Sequence, residues 1–272
     1  MRQLIVLAAI AIITTTLIPF QWLAVKFAHP ARRCIPVFYH RMICALIGVR
    51  VRVIGRRGDE HPLMIVANHV SWLDISVLTS IAPVVFVAKQ EVASWPLFGL
   101  LAKLQRTVFV NRTQRHKTAD VNAEIGRRLA DGDPVVLFGE GTSSDGNRVL
   151  EFRSALIGAA RDALAQAEHA KRVWIQPLSI AYTGLLGLPL GRQHRPLVAW
   201  YGDFELAPHF ANIIRLGGID VTVTWGAPIP FDETSDRKAT TRLVETCVRS
   251  MTTLALRGRP VEPKPKSGQP NA

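Results

Sequence analysis

The ten residues VANHVSWLDI (66–75) leave one apolar run and enter another. The run before them, LMIVA (63–67), is short and rich in branched side chains, which predicts a buried strand. A helix is expected to start near Ser71, because Ser71 and Asp74 match the S-x-x-D capping pattern. Strand, polar loop and helix in succession make the opening of an α/β unit. The loop carries His69, and Asp74 follows five positions later. Five residues along one continuous helix rotate the chain by about 500°, so the two side chains would diverge. They meet if His69 lies in the loop and Asp74 in the first helical turn. A carboxylate on one imidazole nitrogen then fixes the tautomer and leaves the other nitrogen free to take a proton. A capping role for Asp74 explains the same spacing, so these residues alone leave base and cap both open.

The alternation continues outward from this stretch. Strands are expected at 51–54 (VRVI), 84–88 (VVFVA), 107–110 (TVFV), 135–138 (VVLF), 173–182 (VWIQPLSIAY), 197–201 (LVAWY) and 221–225 (VTVTW). Helices are expected at 117–130, where Val121, Ile125 and Leu129 share a face and Gly132 follows, and at 154–167. A last helix is expected at 238–256, with Leu243, Cys247 and Met251 recurring every four residues. The pattern predicts an α/β fold: a mixed, largely parallel sheet flanked by helices. It divides the chain into an N-terminal anchoring segment (1–49), a main domain (50–257) and a Pro-rich polar tail (258–272) with the composition of a disordered segment.

The 272 residues are 48% hydrophobic, and 33 Lys and Arg against 21 Asp and Glu give a net charge of +12. A basic, apolar chain points to nucleic acid or to an anionic membrane surface. The N-terminus decides for the membrane. Leu4 to Val25 carry no charge, and as a helix they reach ~33 Å, about one bilayer core. Pro19 and Gln21 stand where such a helix could kink or stop. No small-x-small cleavage site follows, which favours a retained anchor over a signal peptide. Lys26, Arg32, Arg33, Arg41, Arg50, Arg52, Arg56 and Arg57 come next, around the apolar stretch IPVFYHRMICALIGV (35–49). This predicts a second, amphipathic helix at the membrane surface, and it places the main body on the cytoplasmic side of the inner membrane. Cys34, Cys44 and Cys247 form no CxxC and cannot all pair, which argues against a disulfide scaffold.

Most chemical motifs fail on inspection. GTSSDGN (141–147) has the glycine spacing of a P-loop, but Asn147 stands where lysine is required. There is no G-x-S-x-G elbow. The eight histidines fall in no metal-ligand spacing, so no metal is expected. The basic residues lack the interleaved aromatics of a single-strand binder, so no nucleic acid is expected. Two further segments stand beside the first. FGEGTSSDG (138–146) leads a strand into a Gly-rich turn, which is either an ordinary surface turn or a ligand-binding edge; in the second case it sets Glu140 at the sheet's carboxyl edge, with Arg153 following in EFRSAL (151–156). RTVFVNR (106–112) is a strand ending in Arg112, which can clamp an anion or lie free in solvent.

In order and spacing these segments resemble the glycerolipid acyltransferase family, in particular its bacterial 1-acyl-glycerol-3-phosphate acyltransferases. The family's N-H-x-x-x-x-D is matched by Asn68, His69 and Asp74, its apolar strand ending in Arg by VFVNR, its F-P-E-G-T-R-S by FGEGTSS, and its apolar run about a proline by VWIQPLSIAY. The resemblance covers roughly residues 50 to 230. It implies transfer of an acyl chain from acyl-CoA or acyl carrier protein to a lysolipid hydroxyl, without a resident cofactor. His69 would be the base and Asp74 its partner. Asn68, Lys89, Arg112, Glu140, Gly141, Thr142, Arg153 and Pro177 would serve substrate binding. The first acceptor implied is 1-acyl-glycerol-3-phosphate, giving phosphatidic acid. Two departures qualify this. Gly139 replaces a proline, with an effect expected on local stiffness alone. Ser143 replaces the arginine that would hold the acceptor's phosphate, and EGTSSDGN with FRSAL also resembles the branch that acylates lyso-ornithine lipid. A lipid ester hydrolase and a non-catalytic membrane-binding protein are the rival classes.

Overall fold

The structure, a computed structural model, describes residues 1–110, 118–154 and 172–259. Its sheet runs in the order β1 (Val49–Ile54), β8 (Ile219–Trp225), β6 (Val173–Leu185), β2 (Leu63–Ala67), β5 (Val135–Phe138), β3 (Val85–Lys89), β4 (Val108–Val110). The short strands β7 (Leu188–Pro189) and β9 (Ile229–Phe231) pair with β6. β2 is parallel to both neighbours, and all five of its residues are buried. A strand closed on both faces needs the unbroken apolar run that LMIVA supplies. β8 is parallel to β1 and antiparallel to β6, so the sheet is mixed and largely parallel, as expected.

Pro177 lies inside β6, beside Val66 of β2. On its other side β6 changes neighbour, from β9 at residues 173–175 to β8 from residue 178 onward. The missing N–H therefore falls in the gap between two ladders, where it costs no bond. Gln176 fills that gap: its amide donates to the carbonyls of Arg56 (3.0 Å) and Gly226 (2.8 Å) and accepts from Gly58 N–H (3.0 Å).

Helices α3 (Leu73–Ile81), α4 (Phe98–Leu104), α5 (Thr118–Ala130), α6 (Leu206–Leu216) and α7 (Arg237–Leu256) flank the sheet. In α5, Ile125 and Leu129 are buried, as the periodicity predicts. α7 buries a different stripe from the expected one. Val244, Val248, Thr252 and Ala255 face the sheet, while Leu243 is exposed. The run LVAWY (197–201) is not a strand. Pro196 opens a 3₁₀ turn at Arg195–Leu197, and the buried Val198 and Ala199 join the core without entering a ladder. α4, α6, β7 and β9 were not expected. The expected helix at 154–167 falls, beyond Ser154, outside the described residues, as does the tail from residue 260.

Two helices precede the sheet: α1 (Arg2–Lys26) and α2 (Ala31–Ile47). α1 is long and apolar enough to cross a membrane, and Pro19 lies within it without ending it. It is tied to the domain along its length. At one end the Arg2 guanidinium donates to the carbonyls of Ile214 and Ile47, at the C-terminal ends of α6 and α2, in a space that Gly48 and Gly217 leave open. Midway, Thr14 and Tyr39 hydroxyls meet at 3.0 Å. Near the other end Gln21 donates to Leu104 (2.8 Å) and Arg32 (3.1 Å) carbonyls. The opposite face leaves Leu4, Ile5, Ile12, Phe20, Trp22 and Leu23 exposed. α2 forms as expected and packs between α1 and α3. Part of the basic cluster is paired within the chain: Arg33 pairs with Asp133, Arg50 pairs with Asp220 at the surface, and Arg41 donates to the Ser80 carbonyl.

Candidate active site

The carboxyl end of β2 runs straight into Asn68. Its side chain exchanges two hydrogen bonds with the backbone of Ile180 on β6, amide to carbonyl at 2.9 Å and N–H to amide oxygen at 2.8 Å. Both polar ends of a buried amide are thus spent on the neighbouring strand. Asn68 fixes where the loop leaves the sheet and does not line the cavity described below.

The next residue, His69, is held from three sides. Its N–H donates to Glu140 Oε2 (2.9 Å), its Nδ1 lies 2.8 Å from Asp74 Oδ2, and its ring stacks on Phe138 at 3.9 Å and 15°. Asp74, in the first turn of α3, is fully buried. Oδ2 also accepts the N–H groups of Val70 (2.7 Å) and Ser71 (3.1 Å), and Oδ1 accepts the Tyr182 hydroxyl (2.7 Å). One carboxylate therefore does both things the sequence left open: it secures the helix start and holds the imidazole. With the carboxylate oxygens accepting in all four contacts, Nδ1 carries its hydrogen toward Asp74 and Nε2 is left as the acceptor.

Tyr182 is a site residue that sequence reasoning missed. It ends the expected strand 173–182, and only the pairing of β6 beside β2 brings it to Asp74. Burial and the charge of Asp74 push its hydroxyl well above the usual range, so it remains a donor. Tyr182→Phe is expected to lower kcat about ten-fold, since a hydrogen bond to a charged group is worth roughly 1.5–3 kcal/mol. The loss should appear in kcat with KM unchanged, because the hydroxyl holds Asp74 and touches no substrate. A wild-type kcat in the variant would exclude this role.

Glu140 is buried, and both of its oxygens accept backbone N–H groups, Oε2 from His69 and Oε1 from Leu150 (2.7 Å). It ties the 138–150 loop to the His69 loop and does not line the cavity described below. Burial pushes its carboxyl from 4.5 up to about 8, against the pull of those two N–H groups. The unfolded chain ionises this group near 4.5 and the folded protein near 8, so in that window unfolding releases a proton. Its contribution to stability therefore falls as pH rises from 4.5 to 8. Thermal unfolding between pH 5 and 8 is expected to show this decline, and Glu140→Gln to flatten it; the same slope in the variant would refute the assignment.

Gly139 does more than alter stiffness. Its N–H donates to the Ala67 carbonyl (2.8 Å), and a Cβ there would lie 2.5 Å from the Phe152 ring, so neither proline nor alanine fits. Gly141 turns at φ +68°, under the Arg153 side chain. Ser144 then returns to His69, donating to its carbonyl from N–H (2.9 Å) and hydroxyl (3.2 Å).

His69 opens onto a cavity of about 770 Å³ between the sheet edge and the two N-terminal helices. Ile10 and Leu17 of α1, Ile43 of α2, and Trp72 and Phe210 form apolar walls. Lys89, Gly141, Thr142 and Ser143 line it as well, whereas Arg153, Asn68 and Pro177 do not. Arg112 lies outside the described residues. Among the described lining residues, the Lys, Arg, Asp and Glu side chains are Lys89, Glu91 and Asp203. Cys34, Cys44 and Cys247 do not line it, and among the described residues no three His, Cys, Asp or Glu converge as a metal site. An imidazole held at Nδ1 by a carboxylate and open at Nε2, on the rim of an apolar cavity this size, is suited to deprotonating a hydroxyl carried on a lipid chain.

The chain is similar to several known proteins. The Acyltransferase family model matches residues 48–181. The chain is 48% identical over 260 residues to the lyso-ornithine lipid O-acyltransferase of Brucella abortus, covering 96% of this chain and 97% of that one. It is also 48% identical over 250 residues to the enzyme of the same name from Rhizobium meliloti, covering 92% and 85%. The crystal structure of the 1-acyl-sn-glycerophosphate (LPA) acyltransferase PlsC from Thermotoga maritima superposes with a TM-score of 0.64 at 21% identity, covering 95% of this chain and 99% of that one, and so shares the fold.

Proposed function

The chain belongs to the acyltransferase family and acts on lysolipids, and on that premise we propose that the hydroxyl it acylates is that of lyso-ornithine lipid. The observation that carries this is the charge of the cavity. Its Lys, Arg, Asp and Glu side chains among the described residues are one cation, Lys89, and two carboxylates, Glu91 and Asp203, and Ser143 stands where the resembling family has arginine. A phosphomonoester carries close to two negative charges and calls for several cations. An ornithine joined through its α-nitrogen keeps a carboxylate and an ammonium, which suits one cation with two acids. The high identity to two lyso-ornithine lipid acyltransferases supports the same acceptor. The order first implied by the resemblance, with 1-acyl-glycerol-3-phosphate ahead, is thereby reversed.

In the proposed reaction His69 Nε2 takes the acceptor's hydroxyl proton as the oxygen attacks the thioester carbonyl of acyl-CoA or acyl carrier protein. Asp74 steadies the imidazolium. The C–O bond forms, the C–S bond breaks, and the proton held on His69 passes to the departing thiolate. A thiolate leaves readily, so no acyl-enzyme is needed, and no cysteine lines the cavity to form one. The exposed apolar face of α1, with Leu97, Phe98, Leu100 and Phe204, would rest in an anionic membrane surface, the cytoplasmic face of the inner membrane.

The test is a competition. Solubilised enzyme with an acyl thioester is given equal lyso-ornithine lipid and 1-acyl-glycerol-3-phosphate. Preference for the first is expected; equal use or the reverse would overturn the assignment. Release of free fatty acid without any acceptor would point to a hydrolase instead.

A further inference from the structure

The loop carrying Glu140 continues as SSDGNR (143–148), and its turn is wedged between two distant parts of the chain. A Cβ at Gly146 (φ +75°) would lie 3.1 Å from Val70 Cγ1 and 3.7 Å from Arg195 Cβ. Asp145 shapes the turn by accepting from Asn147 N–H (2.9 Å) and side-chain amide (3.1 Å), and Asn147 Oδ1 in turn accepts from Arg195 Nη1 (3.2 Å). Arg195 is thus bonded to the turn, Arg148 follows Asn147 in sequence and Arg192 precedes Arg195 by three residues, which brings three arginines to the neighbourhood of the Asp145 carboxylate. Their proximity registers electrostatically. Burial raises the Asp145 carboxyl, but the Asn147 hydrogen bonds and the charges of Arg148 and Arg192 outweigh it and hold it below the usual range. Burial and the like charge of Arg192 pull the Arg195 guanidinium down. Arg148 and Arg192 are exposed, with no ion pair or hydrogen bond among the described residues.

Folding gains nothing from crowding like charges, whereas an anion fits there. None of the three arginines lines the cavity that would receive the lysolipid. They stand outside it, one turn from the catalytic loop, since Ser144 bonds the His69 carbonyl and Gly146 abuts Val70. A donor thioester must place its carbonyl at His69 while its pantetheine arm leads out of the cavity. In acyl-CoA and in acyl carrier protein alike, that arm ends in a phosphate. Resting on the acyl-transfer reading above, we propose that Arg148, Arg192 and Arg195 form the binding site for the phosphate at the end of the donor's pantetheine arm.

The experiment uses the full chain in detergent with lyso-ornithine lipid and three donors: acyl-CoA, acyl carrier protein, and an N-acetylcysteamine thioester, which lacks the phosphate. The variant is Arg148→Glu with Arg192→Glu; Arg195 is kept because it bonds the turn. KM for both phosphate-bearing donors is expected to rise at least ten-fold with kcat unchanged, and kcat/KM for the truncated thioester to stay at the wild-type value. An unchanged KM, an equal loss on all three donors, or a loss confined to the carrier protein would each overturn the site. Equal loss on all donors together with weaker flotation on anionic vesicles would assign the patch to the membrane instead. Wild-type enzyme that transfers from none of the donors would bring down the acyl-transfer reading itself, an outcome distinct from an unaffected variant.

Discussion

His69→Ala is expected to lower kcat about a thousand-fold, within the 10²–10⁴ that a placed general base contributes, while the variant folds and binds lipid normally. The ring is partly exposed on the cavity side and rests on Phe138, so its removal enlarges an existing space rather than opening a hole in the core. Asp74 keeps its three other donors. Catalysis has no substitute, because a lipid alcohol is un-ionised near neutral pH. Turnover of labelled acyl thioester, measured beside a thermal unfolding curve, separates the two effects. Wild-type turnover by this variant would end the proposed mechanism.

Asp74→Asn is expected to damage both catalysis and folding. An amide in place of the carboxylate turns an NH₂ toward groups that are themselves donors: the His69 ring, two backbone N–H groups and the Tyr182 hydroxyl. With Asp74 fully buried, at least one donor is orphaned, at about 1–3 kcal/mol each. The imidazole loses the partner that fixes its tautomer, so kcat should fall by about 10³–10⁴, as triad aspartates lead one to expect. Because His69 and Asp74 act as one unit, the double variant should be hardly slower than His69→Ala alone. Multiplying losses would mean that the aspartate acts on the reaction by another route.

The sequence made the frame legible where burial is symmetrical. LMIVA and VVLF are strands with the expected bounds, because a strand covered on both faces must be apolar throughout. The same logic misled at LVAWY, whose residues are as apolar but follow Pro196 and reach the core in a turn. On α7 the choice of face failed by one position, since Leu243 and Val244 are equally apolar and only the sheet's position decides between them. The His69–Asp74 pair was legible because its partners lie five residues apart; Tyr182 reaches Asp74 across 108 residues and leaves no local mark. The resemblance grouped Asn68 and Glu140 with the substrate-binding residues, yet both spend their polar atoms on backbone. A motif fixes which side chains meet and leaves open whether they face ligand or chain.

The apolar first helix is at once outer skin and inner lining. Arg2 pins it where two other helices end, and Ile10, Leu17 and Gln21 border the cavity. Cutting it away to obtain a more soluble enzyme would strip one wall from the chamber that must receive the fatty chains.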